Sequence, residues 1–317
     1  MKILVTGGNG RIGRYVVSEL VRSIPGRTQH QVTVFDREQR RIPRGVAQVV
    51  GDHSNMDQLC AAFDGADAVL HLSALQATTE SSKEVLGANI QGTVNVFEAA
   101  QQCGVRKLVN WSSVWALGWT KPGNTFIPDY LPIDEDHPLR ADDAYGRSKI
   151  EGEAIAESSH GIAGLKAITL RSVYTALPAT MAMLWRTQGI KDPTYSHLAY
   201  VDVYDHARAA RLAVEADTDS YQVVFLAADD SRVSEPLAEL LPRLYPPIGD
   251  LAAALTGQRS SISNKRAKEL LGWSPTNSWR DLTIAQRAHG YVKAGAHRIS
   301  ATVLPTAVRE RRPKRYQ

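Results

Sequence analysis

The sequence predicts an α/β protein, a doubly wound parallel sheet followed by a small C-terminal lobe. Three observations carry that expectation. From Lys2 to Arg171, short runs of Val, Ile and Leu alternate with helical patterns, as in strands covered by helices on both faces. A glycine-rich segment, Thr6-Gly7-Gly8-Asn9-Gly10-Arg11-Ile12-Gly13, directly follows the apolar run Ile3-Leu4-Val5. From Thr175 the regular alternation breaks.

Taken in order, the apolar runs place strands at Lys2–Thr6, Gln31–Asp36, Ala47–Gly51, Ala68–Leu72, Lys107–Trp111 and Ala167–Arg171. Between them the spacing predicts helices at Arg11–Ser23, Met56–Phe63, Ser81–Cys103 and Asp143–Ser158. Right-handed crossovers then give a doubly wound sheet. Beyond the break, Met181–Thr187, Val203–Ala216 and Ser234–Leu244 read as helices and Gln222–Ala227 as a strand. Ser263–Pro275 reads as a capped helix stopped by Gly272 and Pro275. The expected division is a nucleotide-binding domain over 1–174 and a lobe over 175–304 that returns some strands to the sheet. A basic tail fills 305–317. The loop Pro122–Pro138 is long enough to be functional.

Composition narrows the class. A chain of 317 residues can bury a sizeable core without staples. Its 43% hydrophobic and 22% charged residues are ordinary for a soluble globular protein. The net charge of +4 is mild and gathers in Arg309, Arg311, Arg312, Lys314 and Arg315, a solvated tail rather than a nucleic-acid grip. Cys60 and Cys103 are the two cysteines, with neither disulfide nor metal spacing. No metal site is expected. The opening residues read as a strand rather than a signal peptide, and no run reaches the roughly 20 apolar residues of a membrane span. A cytoplasmic location, with no membrane or nucleic-acid partner, is therefore expected.

The glycine segment lies between a strand and a helix, the context in which such a loop holds a dinucleotide. Gly7 permits the tight turn, Gly10 the approach of a pyrophosphate, and Gly13 close helix–strand packing. The helix beginning near Arg11 and Ile12 turns its free N–H groups toward the phosphates. This makes the sheet Rossmann-type. Asp36 ends the second strand about 20 residues on, where an acid binds the adenosine ribose and repels a 2′-phosphate. NAD is therefore the expected cofactor. Arg37 beside it keeps NADP open. Asp52 ends the third strand, where it can accept from the adenine amino group. Later, Tyr145 and Lys149 stand four apart on a predicted helix and share a face. A phenol titrates near 10 and is a poor base at neutral pH, but nearby positive charge stabilises its phenolate. Tyr145 can then exchange a proton with a substrate hydroxyl.

These motifs resemble the extended short-chain dehydrogenase/reductase family. The similarity runs through Thr6-Gly7-Gly8-x-Gly10-x-x-Gly13, His71-Leu72-Ser73-Ala74, Asn89-x-x-Gly92-Thr93-x-Asn95-Val96, Trp111-Ser112-Ser113 and Tyr145-x-x-x-Lys149. It continues in Val201-Asp202-Val203 and the Lys268–Pro275 terminator. The resemblance implies a catalytic set of Ser113, Tyr145 and Lys149, in which Ser113 rather than Ser112 binds the reacting oxygen. Lys149 also holds the nicotinamide ribose. It further implies cofactor contacts from His53, Leu72, Ser73, Ala74, Asn89 and Val173. Gln76, Ser113, Val114, Trp115 and Tyr174 are implied on the side of a small-molecule substrate. His71 is read as packing in the sheet. Trp111, Trp115, Trp119 and Trp185 are candidates either for a pocket roof or for core. A homodimer through the two long helices, Ser81–Cys103 and Asp143–Ser158, is also implied.

Departures from the family narrow the chemistry. Sugar-nucleotide dehydratases carry Asp-Glu directly after the active-site Ser/Thr. Val114-Trp115 stand there, which argues against loss of water. The Asn and Gly usual after the sixth strand of nucleotide-sugar enzymes are absent from Arg171–Pro178. Ser112-Ser113-x-x-x-x-Gly118-Trp119 is nearest in appearance to the uronate dehydrogenase-like branch. That branch's Asn-His after the serines, and its carboxylate-binding Arg, have no clear counterpart. The expectation is a net alcohol–ketone oxidoreductase acting on a small polar or sugar-like molecule. An NAD-dependent epimerase is the alternative, and a non-catalytic dinucleotide sensor a remote one.

Overall fold

The computed structural model describes residues 1–26, 29–76, 82–118, 127–184 and 198–283. Seven parallel strands form the sheet: β1 Lys2–Thr6, β2 Gln31–Asp36, β3 Ala47–Val50, β4 Ala68–His71, β5 Lys107–Ser113, β6 Lys166–Ser172 and β9 Gln222–Leu226. Their order is β3-β2-β1-β4-β5-β6-β9. The direction of winding reverses between β1 and β4, and in such sheets the crevice beyond the strand ends at that point takes the ligand.

Alternate side chains feed two apolar layers, as the strand period of two requires. Ile3, Val5, Val34, Leu70, Val109 and Leu170 face one layer. Leu4, Phe35, Val69, Leu108 and Ala167 face the other. The first layer is covered by α1 Gly13–Leu20 and α6 Val203–Glu215, the second by α2 Met56–Phe63, α3 Ser82–Gln102 and α4 Ala144–Ser159. Ala207, Ala209, Ala210 and Ala213 are buried on α6, which suits close packing beside α1. An Arg211–Glu19 pair at 3.0 Å joins those two helices. No helix among the described residues is long and apolar enough to cross a membrane.

The structure departs from the sequence reading at several ends. The first helix starts at Gly13 rather than Arg11, because Gly10 donates back to the Gly7 carbonyl and keeps the preceding residues in a turn. The fifth strand runs two residues further, through Ser113, because its pairing with β6 continues to Ser113–Ser172. Two three-residue strands, β7 Tyr174–Ala176 and β8 Tyr200–Asp202, pair outside the main sheet and are too short to show a period. α5 Pro178–Leu184 begins earlier than expected, since the fixed φ of Pro178 suits a first helical position. α7 is Leu237–Leu244, and α8 Lys265–Leu271 ends at Gly272 in the left-handed conformation (φ 59°), as its terminator predicts. Beyond it, the indole of Trp273 donates to the Asp205 carbonyl, and the Asp205 carboxylate accepts from the backbone of Thr276 and Asn277. One buried acid thus fastens the C-terminal segment to α6.

Trp111 is core, not roof. Its indole donates to Nε2 of fully buried His206 at 2.9 Å, and Nδ1 of that ring lies 3.0 Å from the Thr175 hydroxyl. The acceptor nitrogen must be unprotonated, and burial pushes the His206 pKa down to about 3. A depressed histidine contributes stability that is present above about pH 6.5 and lost as pH falls toward 3, where only the unfolded chain readily takes the proton. Buried His71, also depressed, acts in the same direction. The urea midpoint is therefore expected to fall with acidification across that window, and less steeply in His206→Gln. An unchanged slope in the variant would remove His206 from this account.

Candidate active site

The glycine loop fits a dinucleotide. Gly7 is held at φ +69°, and a Cβ there would meet the Ser73 nitrogen at 2.8 Å. A Cβ on Gly13 would press into the Gly7 carbonyl oxygen. Helix α1 opens at Ile12 with no side-chain cap and no acid in its first turn, so an anion can approach its N–H groups. Asn9, a variable position of the motif, ties the glycine loop to the ends of β2 and β3. Its backbone donates to Asp36 Oδ2 at 3.0 Å, and its side-chain amide donates to the Glu38 carbonyl and to Gln48 Oε1. Its own Oδ1 is buried without a hydrogen-bond partner.

Asp52 follows the end of β3. The Ser54 backbone donates to it at 2.9 Å and holds its carboxyl below the usual range. His53 packs against Gly92 of α3, and its carbonyl accepts from Asn95. His71 joins β1 to α3. Thr93 spends its hydroxyl hydrogen on the Asn89 carbonyl (2.8 Å), so Nε2 of His71 donates to Thr93 and Nδ1 accepts from Thr6. That neutral ring is structural.

After β4, Leu72, Ser73 and Ala74 lead toward Leu75, where Asn89 takes hold. Asn89 Oδ1 accepts from the Leu75 backbone at 2.7 Å. Its amide nitrogen donates to the Leu75 carbonyl and to Ser148, whose hydroxyl donates to the Tyr145 carbonyl. One amide thus ties the post-β4 loop to the tyrosine-bearing helix. Its polar atoms are engaged by protein, so Asn89 shapes this part of the site.

The two serines separate cleanly. Ser112 donates to the Glu153 carboxylate, whereas the Ser113 hydroxyl accepts from the Trp115 backbone at 3.3 Å and faces the Tyr145 phenol, whose phenolate it favours. Asp143 caps α4 by accepting from Gly146, and a Cβ on Gly146 would meet the Trp115 carbonyl at 2.5 Å. The glycine therefore allows the helix to seat against the turn that follows Ser113. Lys149 donates to the Trp111 carbonyl at 2.8 Å and lies 5.4 Å from the centre of the Tyr145 ring.

Burial dominates the electrostatics. It pushes the Tyr145 phenol up to about 12, opposed by Ser113, and Lys149 down to about 8, opposed by Glu153. The tyrosine is thus set as an acid unless positive charge stabilises its phenolate.

Of the residues expected on the substrate side, Val114 is buried and Trp115 stands edge-on to Tyr145, with ring centres 5.9 Å apart. Val173 is buried, Tyr174 lies under the Arg232 guanidinium at 6.0 Å, and Gln76 is exposed. Trp119, Trp185 and the basic tail fall outside the described residues. Among the described residues no group of three His, Cys, Asp or Glu is placed to hold a metal ion. Sequence reading missed Asn9, Ser148, Glu153 and Arg171. Glu153 alone left a readable signal, four residues after Lys149 on the same helical face.

Residues 3–181 match the model of the NAD dependent epimerase/dehydratase family. Over 179 residues the chain is 30% identical to the uronate dehydrogenase of Pseudomonas syringae pv. tomato, covering 54% of this chain and 58% of that relative. It is 24% identical to the UDP-glucose 4-epimerase of Corynebacterium glutamicum over 95% of this chain and 98% of the other. A short-chain dehydrogenase/reductase superfamily protein from Agrobacterium tumefaciens, solved with bound NAD, shares the fold at a TM-score of 0.66. That match is 24% identical and covers 94% of this chain and 98% of the other. With the glycine cradle and more than half of its length matching the family, this chain belongs to the NAD dependent epimerase/dehydratase family.

Proposed function

We propose that this protein is an NAD-dependent oxidoreductase that interconverts a secondary alcohol and a ketone on a small polar or sugar-like molecule. One observation carries the reading: Ser113, Tyr145 and Lys149 converge at the end of β5, while neighbouring Ser112 is committed elsewhere. The similarity to a uronate dehydrogenase supports it.

Gly7, Gly10, Arg11, Ile12 and Gly13 would receive the pyrophosphate, Asp36, Arg37, Asp52 and His53 the adenosine end. Leu72, Ser73, Ala74, Val173 and Lys149 would flank the nicotinamide, with Asn89 fixing their loop. Bound there, the dinucleotide supplies hydride acceptance in one direction and hydride donation in the other. Ser113 orients the reacting oxygen by hydrogen bonding. Tyr145 takes the proton from a hydroxyl or returns it to the oxygen of a ketone. Lys149, when charged, favours the phenolate. Val114 and Trp115 supply neither acid nor base beside that oxygen, so water elimination lacks its extra groups. Residues 175–304 would supply most of the substrate side, and α3 and α4 the face of a homodimer.

The test is nicotinamide absorbance during incubation with a panel of alcohols and ketones, where a stoichiometric change is expected. The full-length similarity to a UDP-glucose 4-epimerase favours a second reading, epimerisation by the same triad. Epimerised product with no net absorbance change would establish that reading and overturn the first. Asp36 sets the expected cofactor choice: tryptophan-fluorescence titration should show NADH bound more tightly than NADPH, with the gap narrowed in Asp36→Ala. A strong NADPH preference in the unaltered protein would overturn the role given to Asp36.

A further inference from the structure

Behind the candidate triad lies a set of buried charges that proton transfer does not use. Glu153 follows Lys149 by one helical turn on α4 and is 7% exposed. Its carboxylate is engaged from two strands. Ser112 of β5 donates to Oε1, while Arg171 of β6 donates from Nε to Oε1 at 3.0 Å and from Nη2 to Oε2 at 2.6 Å. Arg171 stacks on Phe225 at 4.8 Å, and its remaining arm reaches the Glu135 carbonyl. Ser112 is the chain neighbour of Ser113, so this cluster grips the strand end that presents the reacting hydroxyl.

We propose that Glu153 is a positioning residue for the triad: held by Ser112 and Arg171, its negative charge keeps Lys149 protonated beside Tyr145. The proposal rests on the roles given to Tyr145 and Lys149 above. The groups around the ammonium favour this assignment. Lys149 faces Tyr145 and Glu153 on its own helix, the Trp111 carbonyl on β5, and neutral His71 on β4. Asp143 acts on Tyr145 from the start of α4, and Tyr221 feels Glu153 from the far side. Burial opposes the Lys149 charge, and Glu153 is the acid that offsets it. Arg171 serves differently, since it fixes the carboxylate and makes its burial tolerable.

The decisive measurement is the ionisation midpoint of Lys149 in protein without cofactor. It is read by competitive acetylation with acetic anhydride across pH and peptide mass spectrometry. Glu153→Gln should lower the midpoint by about one pH unit, and Ser112→Ala, which leaves the charge in place, should not move it. Because Glu153→Gln strands a buried guanidinium, Glu153→Gln/Arg171→Met provides a second version that removes both charges, and its midpoint should also fall. The alkaline fall of kcat should shift down in parallel, with part of the shift recovered in Glu153→Asp. A purely structural Glu153 would lower Tm and kcat without moving the midpoint. An unmoved midpoint in the double variant overturns the proposal. A midpoint that moves while the alkaline limb stays put supports the Glu153–Lys149 coupling and instead overturns the catalytic role of Lys149.

Discussion

Tyr145→Phe is expected to lower turnover by about 10³-fold while leaving NADH binding intact. The substitution removes one oxygen and keeps the ring. Its edge-on contact with Trp115 at 5.9 Å and its place under Lys149 depend on that ring. The Tyr145 backbone carbonyl still accepts from Ser148, so the link through Asn89 to the post-β4 loop survives. What disappears is the phenol, whose ionised form Ser113 favours and which can exchange a proton with substrate. Steady-state rates with an active alcohol, alongside fluorescence titration with NADH, separate the two effects. Normal turnover in the variant would show that the proton travels by another route. Loss of NADH binding would place Tyr145 chiefly in the cofactor cradle.

The largest expected stability effect belongs to Arg171→Met, which should destabilise the protein by about 3–5 kcal/mol. Arg171 is 2% exposed and binds Glu153 with two parallel hydrogen bonds. Methionine approximates the aliphatic stem but leaves the carboxylate in the interior with Ser112 as its remaining strand partner. The cost comes mainly from that unpaired buried charge, because the intact pair already offsets much of its own desolvation. Urea unfolding of the single variant against Glu153→Gln/Arg171→Met tests the cause as well as the size. The double variant should recover much of the loss. If both lose equally, Arg171 stabilises through packing on Phe225 rather than by neutralising Glu153.

Much of the sheet was legible because each of its central strands carries its own local signal. Ile3-Leu4-Val5 and Val32–Phe35 are apolar on both sides, and both became strands with the expected bounds. The glycine loop was legible because its constraint is steric and local, in the left-handed φ of Gly7 and the crowding at Gly13. Tyr145 and Lys149 were legible because a helix makes four-residue neighbours share a face. Other features left weaker signals. Tyr174–Ala176 and Tyr200–Asp202 form strands only because each finds the other. Trp111 had the same aromatic chemistry as a pocket wall and became core because His206, far along the chain, accepts its indole hydrogen.

The sequence by itself determined the doubly wound α/β class, the dinucleotide cradle and the spacing of Tyr145 and Lys149. All three follow from residue size, backbone freedom and helical or strand period within short stretches. The resemblance pointed to Ser113, and only the tertiary structure decided what Ser112 does instead. Ser112 turns to Glu153, which Arg171 reaches from a neighbouring strand, while Ser113 accepts from the Trp115 backbone beside Tyr145. That outcome depends on strand register and helix placement, because hydrogen bonds and buried charges are satisfied by distance in space and not by distance along the chain.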